Sequence, residues 1–205
     1  MASMQDVFAG MDMHLLNDEQ PSLYFDEISN TPLFLQYPFN LLSKMKQTNQ
    51  SPRHHPEGNV WNHTMLVVDE AAKVKNESQD KSVFMWAALL HDIGKPDTTK
   101  DYRGKITSYD HDKIGAKLSK KFLIELTGDD VFIEKVAVLI RWHMQILFVV
   151  NGLPFADVKE MKKQSSIKEI ALLGLCDRLG RSGANRKLEE SNIKIFIQKC
   201  EINKC

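Results

Sequence analysis

Long apolar runs are missing from this chain of 205 residues. No stretch approaches the roughly 20 consecutive apolar residues that span a bilayer, so no membrane segment is expected. The opening Met1-Ala2-Ser3-Met4-Gln5-Asp6 has neither the basic start nor the apolar stretch of a secretion signal. A charge excess of either sign is missing too. Lys and Arg number 27 and Asp and Glu number 27, which argues against broad electrostatic binding to nucleic acid or membrane and leaves room for a local basic patch. Cysteine is scarce: Cys176, Cys200 and Cys205 form no metal-knuckle spacing and no disulfide framework. Cys176 lies in an apolar run and reads as a small core residue; the other two, near the C-terminus, read as exposed. Repeats and low-complexity tracts are absent. The expected location is the cytoplasm, and the length suits one well-buried core.

What is present is helical periodicity. Residues 1–20 show no sustained period and read as a weakly ordered lead-in to a single domain over 21–205. Short helical stretches are expected over 21–28 and 39–46, followed by a polar loop over 47–59. The first strong helix covers 60–74, where Val60, Met65, Val68, Ala71 and Ala72 share a face. The next, 82–91, is apolar nearly all round and marks a central buried helix. Gly94 is expected to end it and Pro96 to prevent its resumption. A small β-ribbon is expected near 98–108, turning at Arg103-Gly104. Further helices are expected at 111–126, 131–144 (with Asp130 as N-cap), 156–163, 167–179 and 186–202. The fold class is all-α, a helical bundle.

Seven histidines punctuate this pattern. His14 lies in the lead-in, and His54 and His55 lie in the loop. His63, His91, His111 and His143 each fall on a different predicted helix or at its end. One histidine on an apolar helix is usually a hydrogen-bonded core residue; four on separate helices ask for a shared reason. His91-Asp92 closes an apolar helix, where burying an imidazole and a carboxylate is costly unless something pairs with them. A divalent cation does so, since both groups are natural ligands for Zn, Mn, Fe and Ni. Asp177 follows the apolar run Ile170-Ala171-Leu172-Leu173-Gly174-Leu175-Cys176 and is expected to be buried, paired either with a cation or with Arg178 or Arg181.

These residues, His63 in Trp61-Asn62-His63-Thr64, the pair in His91-Asp92-Ile93-Gly94-Lys95, and Asp177 in Cys176-Asp177-Arg178-Leu179-Gly180-Arg181, resemble the HD superfamily of metal-dependent phosphohydrolases. The likeness is closer to the HD domain attached to bacterial CCA-adding tRNA nucleotidyltransferases. It takes in His55-Pro56-Glu57-Gly58, Tyr109-Asp110-His111 with Gly115-Ala116, and Arg141-Trp142-His143-Met144, with core motifs over 55–181. No nucleotidyltransferase motif precedes them, so the expectation is a hydrolase module without CCA addition. The resemblance implies an HD-domain bundle with a metal held by His63, His91, Asp92 and Asp177. His111 and His143 fall where two-metal relatives complete a second site. One or two divalent ions per chain (Mn, Ni, Fe, Mg or Zn) are therefore expected.

The family reaction implies a metal-activated water attacking phosphorus. The expected substrate is a small phosphorylated molecule, a nucleotide or an RNA end, carrying a phosphomonoester or a (cyclic) phosphodiester. Asp92, His91 and Lys95 are the expected catalytic residues, with Asp92 bridging if two ions bind. Lys95 reads equally as a phosphate contact or a solvated lysine. Arg178 and Arg181 are candidate phosphate clamps, Arg181 the better placed because it lies about one helical turn beyond Asp177 and shares its face, and Arg53 and His55 are a candidate rim. Glu57 is a candidate partner for a ligating histidine, and Trp61, Trp86 and Trp142 read as core. Two other classes fit the same ligands: a di-iron oxygenase and a non-catalytic nucleotide or RNA sensor.

Overall fold

The computed structural model describes residues 3–202. Its first helices are α1 (Met4–Asn17), α2 (Pro21–Ile28) and the single-turn α3 (Asn40–Ser43). Next come α4 (Val60–Val74), α5 (Lys81–Leu90), the short α6 (Lys95–Thr98), the strands β1 (Thr99–Tyr102) and β2 (Lys105–Ser108), and α7 (His111–Ile124). The described chain ends with α8 (Asp130–Trp142), α9 (Gln145–Val150), α10 (Val158–Gln164), α11 (Ile167–Leu179) and α12 (Arg186–Ile202). The fold is thus an all-α bundle with one small antiparallel ribbon, and no described helix is long and apolar enough to cross a membrane.

The centre of the bundle is α5. Every side chain from Val83 to Leu90 is buried, so the helix offers solvent no apolar face and packs against α1, α4, α8 and α11. Each large apolar side chain buried this way contributes about 1.5–3 kcal/mol. Trp61, Trp86 and Trp142 are all core residues, as is Cys176. Side-chain caps start the main helices. Asn59 accepts from the Asn62 amide, Asp80 from Val83 and Ser166 from Lys168, satisfying donors that have no partner within the helix.

Several expectations are corrected. The lead-in is a packed helix: Ser3 and Asp6 close a capping box, and Met11 and Leu15 are fully buried. Asp12 Oδ1 accepts from Ser82 Oγ (2.7 Å) and Trp86 Nε1 (2.9 Å), tying α1 to α5. Pro96 does not stop the chain from coiling again; it sits in the first turn of α6, where a missing N–H costs nothing. The cap of α8 is Asp129, and Asp130 is the first helical residue, its charge favoured by the helix N-terminus. Cys200 is buried against the core, not exposed; Cys205 lies outside the described residues. The ribbon turns at Arg103-Gly104, both at positive φ (52° and 80°), the geometry of a tight two-residue hairpin.

Candidate metal centre

Five helix segments deliver six buried polar side chains to one place. His63 stands on the first turns of α4, His91 and Asp92 at the end of α5, and His111 at the start of α7. His143 closes α8, and Asp177 lies in the last turn of α11. Exposure is 0% for His63 and His91, 1% for Asp92, 2% for His143, 6% for His111 and 9% for Asp177. Gly94 makes the junction possible. A Cβ there would collide with the His111 carbonyl and the Gly115 amide, so only glycine lets α7 start against the end of α5.

Three of the histidines are oriented by one local device. His91 Nδ1 lies 2.8 Å from the Ala88 carbonyl, His111 Nδ1 2.7 Å from Ser108 and His143 Nδ1 2.6 Å from Ile140. A carbonyl only accepts, so Nδ1 carries the proton in each and Nε2 is left with a lone pair facing the cluster. His63 is held differently, with Glu57 Oε1 3.0 Å from its Nδ1. Glu57 also contacts His55 Nδ1 (2.9 Å) and accepts from the Ser182 amide (3.1 Å), so it joins the loop to the end of α11.

The inward atoms form two groups that share Asp92. In the first, His63 Nε2 is 3.0 Å from Asp177 Oδ1 and 3.8 Å from Asp92 Oδ2, and His91 Nε2 is 3.2 Å from Asp92 Oδ2. In the second, His111 Nε2 is 3.4 Å from Asp92 Oδ1, His143 Nε2 is 4.0 Å from it, and the two Nε2 atoms are 3.2 Å apart. Ligands of one ion about 2.0–2.2 Å away stand about 3–3.5 Å from each other. The donor atoms of His63, His91 and Asp92 lie within 4.8 Å of one another, as do those of Asp92, His111 and His143, so each trio can hold a cation after adjustment, and Asp177 adjoins the first through His63. His91 Nε2 is buried with no hydrogen-bond partner, which is costly without something to accept its lone pair.

Residues 60–180 match the HD domain family. The chain belongs to this family. HD domains are typically metal-dependent hydrolases and bind divalent ions, and the buried His/Asp groups here can hold one. The chain is also similar to proteins named multifunctional CCA protein. That of Haemophilus influenzae (strain PittGG) is 26% identical over 180 residues, 84% of this chain and 42% of that protein. That of Methylococcus capsulatus is 24% identical over 190 residues, 91% of this chain and 38% of that one. That of Actinobacillus pleuropneumoniae serotype 5b is 31% identical over 105 residues, half of this chain and 24% of that one. The chain thus spans less than half the length of these relatives.

In this HD domain the electrostatics favour the forms a cation needs at Asp92, Asp177, His111 and His143, and oppose it at His63. Burial pushes His143 down to about 4, helped by His111 and His91, and burial lowers His111 as well. Burial opposes the charge on Asp92, yet His91 and Lys95 hold its carboxyl well below the usual range. Asp177 is held well below too, by Arg181 and His63 against burial. Burial works against a proton on His63, but the carboxylates of Asp177 and Glu57 win and raise it.

The candidate substrate residues separate. Lys95 is buried, not solvated: its Nζ lies 2.6 Å from Asp92 Oδ2 and donates to Gln50 Oε1 at 2.6 Å. Arg181 Nη2 lies 3.7 Å from Asp177 Oδ2. His55 stands against His63, ring centroids 4.7 Å apart, and burial, with Lys95 and His63, pushes it down to about 4. Arg178 is not brought into the cluster. Its Nε lies 3.4 Å from Glu189 Oε2, because adjacent helical residues point about 100° apart, and it stitches α11 to α12 instead. Arg53 stands exposed on the loop. Gln50, which holds Lys95, had no signal in the sequence, lying in a stretch without period.

Proposed function

We propose that this HD domain is a phosphohydrolase. Its substrate is a small phosphorylated molecule, a nucleotide or an RNA end, cleaved at a phosphomonoester or a phosphodiester, cyclic ones included. One observation carries the reading: two ligand groups share the oxygens of Asp92, and cationic Lys95 and Arg181 border the same cluster. Anionic ligands bounded by cations suit a substrate that brings its own negative charge. The similarity to multifunctional CCA proteins supports the nucleotide or RNA class.

His63, His91, Asp92 and Asp177 would hold a divalent ion, with His111 and His143 available to a second, and such an ion would supply Lewis acidity and water activation. The side chains do the rest. Asp92 presents Oδ2 to one group and Oδ1 to the other, which fixes both against a single rigid carboxylate. Lys95 neutralises Asp92 and is positioned to turn its ammonium to a phosphate oxygen. Arg181 presents two N–H groups for a bidentate phosphate contact. His55, kept neutral, offers its unpaired Nε2 at the rim.

Purified protein supplied with Mn²⁺, Ni²⁺ or Mg²⁺ is expected to hydrolyse p-nitrophenyl phosphate, bis-p-nitrophenyl phosphate or a 2′,3′-cyclic nucleotide. His91→Ala and Asp92→Ala are expected to abolish turnover with the helical circular dichroism retained. Turnover undiminished in both variants overturns the proposal.

A further inference from the structure

No residue of the β1–β2 ribbon is fully buried, and most of β1 is exposed. Tyr102 and Tyr109 are 69% and 71% exposed. Pairing of Lys100 with Thr107 and of Tyr102 with Lys105, with successive side chains on opposite faces, puts Lys100, Tyr102, Lys105 and Thr107 on one face. Thr99, Asp101, Ile106 and Ser108 take the other, where Thr99 Oγ1 and Ser108 Oγ are 2.7 Å apart. The alternation therefore sorts the ribbon. One face holds two lysines and an aromatic ring without an acid or an aliphatic side chain, and the single carboxylate, Asp101, is turned to the other and caps the hairpin by accepting from the Gly104 amide at 2.9 Å. At the tip the Arg103 guanidinium lies 5.2 Å from the Tyr102 ring centroid.

Position adds the second argument. The ribbon is rooted in the metal centre at both ends: α6, which begins with Lys95, runs directly into β1, and the Ser108 carbonyl at the end of β2 holds His111 Nδ1 at 2.7 Å. A four-residue strand extends about 13 Å, a reach of a few nucleotides from that root.

We infer that the Lys100–Tyr102–Lys105 face of the ribbon, with Arg103 at its tip, binds a single-stranded nucleic acid and leads its end to the metal centre. Aromatic faces stack on any base and lysines track the backbone phosphates, which is how non-sequence-specific single-strand grooves work. Anionic membrane is the less fitting occupant, because the face carries no aliphatic side chains to enter an acyl layer. What happens to the strand's end rests on the phosphohydrolase reading; the binding does not.

The test is fluorescence anisotropy with single-stranded RNA and DNA oligonucleotides of about 12 nucleotides bearing a 3′-phosphate, alongside p-nitrophenyl phosphate turnover. Tyr102→Ala and the double variant Lys100→Glu, Lys105→Glu change exposed side chains only. Each is expected to weaken strand binding about tenfold, and the double variant to flatten its salt dependence by about one ion per lysine. Small-ester turnover is expected to be unchanged. The RNA and DNA arms show which sugar is preferred. Strand affinity that stays within about twofold in both variants, or ribbon-dependent binding seen only with phosphatidylserine vesicles, overturns the inference. Ester turnover with ribbon-independent strand binding sinks the arm alone; ribbon-dependent strand binding without any ester turnover sinks the phosphohydrolase reading alone.

Discussion

The two groups that meet at Asp92 are built from different material. On one side His63 and His91 are joined by a second carboxylate, Asp177, and backed by a third, Glu57, with Lys95 and Arg181 in attendance. On the other, His111 and His143 share only Asp92 Oδ1 and are backed by main-chain carbonyls. Buried carboxylates attract a divalent ion far more strongly than neutral imidazoles do. A common ligand therefore does not make the two places equal: the carboxylate-rich side is expected to fill first, and the imidazole side to depend on it.

Asp92→Ala sharpens this contrast most, because it removes the shared ligand. Bound metal is expected to be lost from both sides, and turnover to fall by about a thousandfold or more, as measured by elemental analysis and ester hydrolysis. Comparing His63→Ala with His143→Ala separates the sides. The first is expected to empty the whole centre at micromolar metal, whereas the second leaves one ion bound. Equal losses in the two variants break the comparison. Glu57→Gln removes a carboxylate that touches His63 without being an inward ligand, and is expected to weaken metal binding about 10–100-fold by competition with a chelator. Gly94→Ala acts on the junction between the sides. The collision with the His111 carbonyl and Gly115 is expected to cost about 1–3 kcal/mol, read as melting several degrees earlier, with His111 moved from Asp92.

The parts of this arrangement that could be read in the sequence are those where burial and polarity contradict each other. The run from Val83 to Leu90 leaves no solvent face, so the His-Asp pair that closes it had to be buried and partnered. The bounds of α4 and α11 followed from apolar period alone, and the Arg103-Gly104 turn from its chemistry. The helix α1 was obscured because its apolar spacing, Met4, Val7, Phe8, Met11 and Leu15, is interrupted by Gly10 and by Asp12. That aspartate looks like a surface residue until Ser82 and Trp86 are seen to donate to it. Helical spacing separates Arg181, about one turn beyond Asp177, from Arg178, and the structure sends Arg178 to Glu189 and leaves Arg181 beside Asp177. Gln50 belongs to a loop, where no period announces direction, whereas Glu57 is legible in the sequence as a partner for a ligating histidine and sits against His63.

A crystal grown with Mn²⁺ and mapped by anomalous scattering tests most directly whether these imidazoles and carboxylates are gathered to hold an ion. A peak within about 2.0–2.3 Å of His63 Nε2, His91 Nε2, Asp92 Oδ2 and an Asp177 oxygen is the predicted result. A map without a peak there, with His63 still hydrogen-bonded to Asp177 and Lys95 still seated on Asp92, contradicts it.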